Sequence, residues 1–305
     1  MTTFTDQGHN LEYKSNKRRA PAPLGRVKEC PNSAPEVTAP PAERQDTAHR
    51  MIELLATLHH EFRTPLAVIQ GYTSLLLTRD QQLAAGERQE FLQMMQAAGT
   101  HLAHLTERML EIAQLEAGAY KIQQDLVDLP PVARTAIARV QHLVPPEQEQ
   151  SFTFQLQCRD ETGGQTRDLP PIKGDGQSIQ KVLEHLLENA VRFSPSGGHI
   201  DIIAQPVSRQ RAAALADPLM LTHPFLEICV CDPGVGIARE HLEAIFEPFY
   251  RVDTALTRQS GGSGLGLAIC KHLVALHQGR LWAESCPAGG SAFHLWLPVE
   301  HACAC

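Results

Sequence analysis

Nowhere in the 305 residues does an apolar run approach the ~20 residues that a helical membrane span requires, so no transmembrane segment is expected. The opening stretch MTTFTDQGHNLEYKSNKRR lacks the apolar core of a secretory signal. Basic charge is short as well. Lys and Arg number 27 against 34 Asp and Glu, and the net charge of -7 leaves no field to gather nucleic acid. The eight cysteines show no repeated spacing in a chain too long for a disulfide-stapled miniprotein, so reduced thiols and a cytoplasmic location are expected. At the end, His301, Cys303 and Cys305 are three scattered ligands that fix no tetrahedron, which points to a frayed tail over 300–305. Two familiar phosphate loops are missing. There is no GxxxxGK[ST] stretch, and the glycine-rich run GGSGLGLAI is not led by a strand as a dinucleotide fingerprint would be.

What remains is ordinary globular material, 43% hydrophobic and 20% charged. Residues 1–46 are polar and rich in Pro and Ala, too poor in apolar surface to offset the entropy of ordering, and are expected to be disordered. Helical spacing then predicts a helix over 47–78, with Ile52, Leu55, Leu58, Phe62, Leu66, Ile69 and Leu76 on one stripe. A second runs over 87–117, with Phe91, Met95, Ala98, Leu102, Leu105, Met109, Ile112 and Leu115, and stops at Gly118. The short polar linker makes them an antiparallel hairpin over 47–120. Two helices alone make a poor core, so two hairpins are expected to pair into a four-helix bundle as a homodimer.

From about residue 126 to 299 the pattern interleaves strands and helices. Strands are expected at 152–157, near 172, and at 200–205, 226–230, 280–285 and 291–297. Helices are expected at 131–143, 176–193, 239–245 and 265–276, with Asp175 as a cap for the second of them. The piece at 206–224 reads as a polar surface excursion. The fold class is multidomain: an all-α hairpin followed by an α+β two-layer sandwich with a mixed sheet.

Four stretches carry chemistry. In TLHHEFRTPL (57–66), a wheel started at Leu55 puts His59 at about 40°, on the edge of the apolar stripe, and His60 at about 140°, toward solvent. His60 is thus the accessible imidazole, with Glu61 beside it and Thr64 one turn along. A neutral imidazole whose other N–H is held by a carboxylate is a competent nucleophile, although most exposed helical histidines do nothing. Pro65 within the helix costs roughly 3 kcal/mol and implies a bend near Glu61.

In LEHLLENAVRFSP, Asn189 interrupts an apolar helix. It either binds backbone or faces a metal with phosphate and water ligands. In CVCDPGVGI, Asp232 ends an apolar strand and is followed by Gly234 and Gly236. It either makes an Asp-Pro-Gly turn or accepts from an exocyclic amine such as that of adenine. In GGSGLGLAI, Gly261, Gly262, Gly264 and Gly266 lead into a helix, a ready anion site. Between these last two, FEPFYRVDTALTRQS reads as a lid, with Arg251 and Arg258 available to phosphate.

Taken together the stretches resemble the two-component sensor histidine kinases. HHEFRTPL is similar to the phosphoacceptor box of the HisKA dimerisation domain. LLENAVRFSP resembles the asparagine box of the GHKL ATPase domain, and DPGVGI, FEPFYR and GGSGLGLAI resemble its first glycine, phenylalanine and second glycine boxes. GGSAFHLWLP is similar to that domain's closing strand. The resemblance implies ATP and Mg2+ as cofactors, His60 as phosphoacceptor, Glu61 as its activating acid and Thr64 as the residue that positions water for phosphatase action. It implies Asn189 as Mg2+ ligand and Asp232 as the adenine-reading acid. Gly234, Gly236, Gly262, Gly264 and Gly266 would shape the pocket, and Arg192 and Arg251 would stand near phosphate. Where the family often has a second asparagine one turn before the metal ligand, this sequence has His185. The implied partners are a response-regulator receiver domain and, since no sensor domain precedes the hairpin, a separate sensor protein. A phosphatase-biased regulator and a non-catalytic ATP-binding scaffold are the competing readings; a serine-protein kinase of the same ATPase superfamily would leave the His60 helix unexplained.

Overall fold

The computed structural model describes residues 41–79, 82–144, 151–208, 211, 224–252, 263–286 and 289–300, and side chains from Leu58 onward apart from that of His60. By contacts the chain divides into Met1–Thr47 and Ala48–Cys305. The expected tail over 1–40 and the terminal 301–305 lie outside the described residues.

Helix α1 spans Pro41–Arg79 and α2 spans Ala85–Glu116. The first helix begins six residues before the expected start, so 41–46 are helical rather than disordered: the run PAERQD offers a proline that suits a helix start and good helix formers after it. Pro65 lies inside α1 without ending it and is buried. The α2 start is capped by Glu87, whose Oε2 accepts from the Ala84 N–H at 2.8 Å, and its end is turned by Gly118 at φ +64°. Inside the hairpin Tyr72 and Phe91 rings lie 4.9 Å apart.

The rest is built from β1 (Asp125–Val127), α3 (Leu129–Leu143), β2 (Phe152–Cys158), β3 (Ile172–Gly174), α4 (Gly176–Arg192), β4 (Gly198–Pro206), β5 (Phe225–Asp232), α5 (Gly266–Leu276), β6 (Arg280–Ser285) and β7 (Ser291–Pro298). Five strands form one sheet in the order β2-β4-β5-β7-β6, parallel only between β2 and β4. The short pair β1-β3 stands apart. Alternation along β5 sends Leu226, Ile228, Val230 and Asp232 to one face and Phe225, Glu227, Cys229 and Cys231 to the other. Helices α3, α4 and α5 cover the first face, and Leu183, Leu186, Leu187, Ile200, Ile202, Ile228 and Leu295 are fully buried between the layers. The α4 cap is Asp175, as expected, its Oδ1 accepting from the Gln177 N–H at 3.0 Å. This is the α+β two-layer sandwich after a helical hairpin.

Two expectations need correction. The helix foreseen over 239–245 is a pair of single 3-10 turns, Arg239–His241 and Ala244–Phe246. With Pro248 just beyond, the segment is too short for α-helical nucleation to be repaid. The apolar stripe of α2 is also shared differently. Leu105, Ile112 and Leu115 join the hydrophobic cluster of α3, α4 and α5, so the last turns of the hairpin pack on the sandwich. Farther up, Leu66, Leu75, Leu77, Leu92 and Met94 stay exposed in the single chain. No described helix is long and apolar enough to cross a membrane.

Candidate functional site

A cleft of about 660 Å³ opens where α4, the end of β5, the two 3-10 turns and the start of α5 meet. Its inner end is set by Asp232, which is 7% exposed. The Gly234 and Ser291 backbone N–H groups donate to its Oδ1 at 2.9 and 3.2 Å. Both bonds go to one oxygen, so Oδ2 keeps its accepting capacity. Burial pushes the Asp232 carboxyl above the usual carboxylate range, and the two N–H donors pull against that rise. Gly234 is required by space: a Cβ there would collide with the Phe193 carbonyl and approach Asp232 Oδ1 to 2.6 Å. The Asp-Pro-Gly turn, one of the two alternatives in the sequence, is formed, and it leaves the Asp232 carboxylate lining the cleft.

Three cations share the lining. Arg108 of α2, Arg192 at the end of α4 and Arg251 after β5 all line the cleft. Burial lowers the Arg192 pKa, and the nearby Arg108 and Arg251 add to the effect against the pull of Glu188. An anion with several oxygens would relieve that crowding. Glu188 bridges toward the hairpin, with Oε2 at 3.3 Å from Arg108 Nη2 and 3.8 Å from His185 Nδ1. Burial alone would raise its pKa, but His185, Arg108 and Arg192 hold it below the ordinary value. Asn189 is half-buried and lines the same wall, one turn after His185. His185 is 7% exposed, and its Nε2 is a buried atom with no hydrogen-bond partner.

Gly264 and Gly266 line the cleft at the entry to α5, and Gly236 lines it beyond β5. Gly264 has φ +67°, and a Cβ there would stand 2.8 Å from Phe249 Cα. Phe249 itself takes φ +61°, and its N–H donates to the Gly264 carbonyl at 3.0 Å. The phenylalanine of FEPFYR is thus locked in a left-handed conformation by the glycine loop. Tyr250 closes the side, its hydroxyl 2.8 Å from His241 Nδ1.

The hairpin reaches this cleft directly. Glu61 Oε1 lies 3.6 Å from Arg251 Nη1, and Lys181 Nζ lies 2.5 Å from Glu111 Oε2. Glu61, expected to serve the neighbouring imidazole, has a cation on the sandwich as its partner. Thr64 is exposed one turn along. The His60 backbone is helical, but its side chain, Gly262 and Arg258 lie outside the described residues. His59 was expected at the seam and is exposed in the single chain. The structure therefore gathers Asn189, Arg192, Asp232, Gly236, Arg251, Gly264 and Gly266 around one cavity, with Gly234 supporting Asp232. Arg108, His241 and Ser291 were missed by sequence reasoning. An arginine on a helix surface gives no local signal, and Ser291 acts through its backbone.

Comparison with known proteins follows the same division. Residues 50–118 match the model of the His Kinase A (phospho-acceptor) domain, and residues 174–301 that of the histidine kinase-, DNA gyrase B-, and HSP90-like ATPase. The non-motile and phage-resistance protein of Caulobacter vibrioides is 30% identical over 82% of this chain and 27% of its own length. The sensor histidine kinase WalK of Bacillus subtilis is 29% identical over 85% of this chain and 38% of its own. The chain thus spans about a quarter to two-fifths of these curated relatives. The crystal structure of full-length ShkA in complex with AMPPNP is 26% identical, with a TM-score of 0.53 over 83% of this chain and 47% of that one.

Proposed function

The chain belongs to the two-component sensor histidine kinase family, and from that premise we propose that it binds ATP in the cleft and transfers the γ-phosphoryl group to His60. The observation that carries this reading is the polarity of the cavity. Its lining combines a buried carboxylate with a spare acceptor oxygen and three guanidinium groups, and the phosphoacceptor helix is tied to one of these, Arg251, through Glu61.

Each residue then has a task. Asp232 accepts from the exocyclic amine of adenine, and Gly234 keeps its carboxylate in place. Gly264 and Gly266 let the α5 N-terminus approach phosphate. Arg192, Arg251 and Arg108 neutralise the triphosphate, since phosphoryl transfer is catalysed largely by positioning and charge. Mg2+ fits the donor set: Asn189 offers an amide oxygen, while the orphaned His185 Nε2 suits a metal-bound water or a phosphate oxygen better than the hard ion itself. When bound, Mg2+ neutralises phosphate charge. His60 attacks the γ-phosphorus with a neutral nitrogen as the bond to the bridging oxygen breaks and ADP leaves, and Thr64 positions water for hydrolysis of a partner's phosphoaspartate. The phosphoryl group then passes to an aspartate of a response-regulator receiver domain docked on the hairpin. Dimerisation through the exposed apolar residues of the upper hairpin completes the assembly.

Incubation with ATP labelled at the γ position tests this. The wild type is expected to acquire an acid-labile, base-stable label that His59→Gln retains and His60→Gln loses. A label that survives His60→Gln, or nucleotide binding with no label on any variant, would refute it. The second pattern would leave a non-catalytic scaffold.

A further inference from the structure

The sheet face turned away from the helices carries a cluster that the cleft does not use. Cys229 and Cys231 project from the same face of β5, and their Sγ atoms are 3.3 Å apart. Beside them His294 of β7 puts Nε2 3.9 Å from Cys229 Sγ. Its Nδ1 lies 3.0 Å from Oε1 of Glu227, a side chain that is 1% exposed. Gln205 and Arg211 also bind Glu227, at 2.9 and 2.7 Å. Burial alone would raise the Glu227 pKa, but these partners hold it low, so it is an ionised acceptor. His294 Nδ1 is then the donor to Glu227, and its Nε2 faces the Cys229 thiol with Glu284 Oε2 also 3.9 Å away. The Trp282 ring stacks on the imidazole at 4.9 Å and fixes its plane.

The two thiols are unequal. Cys229 is buried and Cys231 is partly exposed. The hydrogen bond from Cys229 holds the Cys231 thiol below its ordinary range, while that same bond and burial push Cys229 up. A partly exposed thiol that ionises more readily, next to a buried thiol with an imidazole behind it, is the arrangement of an attacking and a resolving sulfur. Among the described residues no group of three or more His, Cys, Asp or Glu side chains is placed to hold a metal ion, so the pair is left to thiol chemistry.

We propose that Cys229 and Cys231 form a reversible oxidation site for hydrogen peroxide, and that their disulfide weakens nucleotide binding in the cleft on the other side of the strand. The Cys231 thiolate attacks one peroxide oxygen. An S–O bond forms, the O–O bond breaks, and the leaving hydroxide takes up a proton to become water. Cys229 then attacks the Cys231 sulfur as its own proton passes to His294. The S–S bond forms, the S–O bond breaks, and hydroxide leaves to be protonated as the second water. Two thiols and one peroxide give a disulfide and two waters; sulfur is oxidised and peroxide oxygen reduced.

The coupling is covalent and short. Cys231 immediately precedes Asp232. Residues two apart on a strand are separated by roughly 6.6 Å, near the upper limit of about 6.8 Å for a disulfide. Closing the bond contracts β5 just before the carboxylate and disturbs its pairing with Ser291, whose N–H holds Asp232. This consequence rests on the cleft being the ATP site; the oxidation itself does not.

The test treats the full chain with hydrogen peroxide and reads thiols and nucleotide binding separately. Trypsin releases both cysteines on the peptide 212–239, and Cys286 on 281–305. Oxidation is expected to lower the mass of 212–239 by two hydrogens, reversibly with dithiothreitol, and to weaken binding of a non-hydrolysable ATP analogue about tenfold. Cys231→Ser should bind the analogue like reduced wild type and not respond to peroxide. A crosslink between 212–239 and 281–305, overoxidation without a disulfide, or no change would overturn the site. A disulfide without loss of affinity would overturn the coupling. Failure of reduced wild type to bind nucleotide would instead sink the proposed function, with the mass shift standing.

Discussion

Asp232 shows how few options a buried carboxylate has. It is held by two N–H groups on one oxygen, and what it gains is orientation toward whatever occupies the cleft. Asp232→Asn keeps the volume and reverses the polarity of one terminal atom. It is expected to weaken binding of an ATP analogue by roughly tenfold or more by calorimetry, with little change in melting temperature; unchanged affinity would remove adenine from the reading. Glu227 makes a prediction about pH. Its pKa is lower in the fold than the ordinary 4.5, so it contributes stability above that value and loses it as pH falls through the folded one. Glu188 acts with the same sign. Urea midpoints should therefore drop as pH falls below about 4.5, and Glu227→Gln should show a shallower drop from a lower starting point. Cleft residues were legible where a side chain breaks the local pattern, as Asp232 and Asn189 do. They were illegible for Arg108, which is ordinary on its own helix and matters only because α2 packs beside α4.

At the scale of elements, the glycine loop before α5 and the segment around Phe249 act as one unit, joined by the Phe249–Gly264 backbone bond. Gly264→Ala forces a side chain into a left-handed position and against Phe249. A cost on the order of 1–3 kcal/mol is expected, read as a lower urea midpoint together with weaker analogue binding. Equal stability would mean that the loop adapts. The strand and helix order could be read from periodicity because each element buries one face on one core. The 3-10 turns at 239–246 could not, since a seven-residue amphipathic run fits a short helix equally well. The short β1 strand gave no signal either: three residues are too few for alternation to show.

For the whole molecule, the division of α2 is the main consequence. Its last turns are bound into the sandwich core, while the apolar residues of the upper hairpin stay exposed in the single chain. Ile112→Ala should cost about 2–4 kcal/mol and loosen the seat of the hairpin, whereas Leu77→Asp should leave the single chain folded and shift its sedimentation toward monomer. Retention of a dimer by the second variant would move the interface elsewhere. The sequence pattern could not divide the stripe in this way, because a helical wheel shows which residues are apolar and not what covers them. The proposed activity is one transfer, from a nucleotide in this cleft to one imidazole on α1. Peptide 51–63 of the ATP-treated protein carries both histidines, and fragment-ion mass spectrometry under alkaline handling separates them. The phosphoryl group is expected on His60; finding it on His59, or finding the peptide unmodified while the cleft is saturated with ATP and Mg2+, would contradict the account.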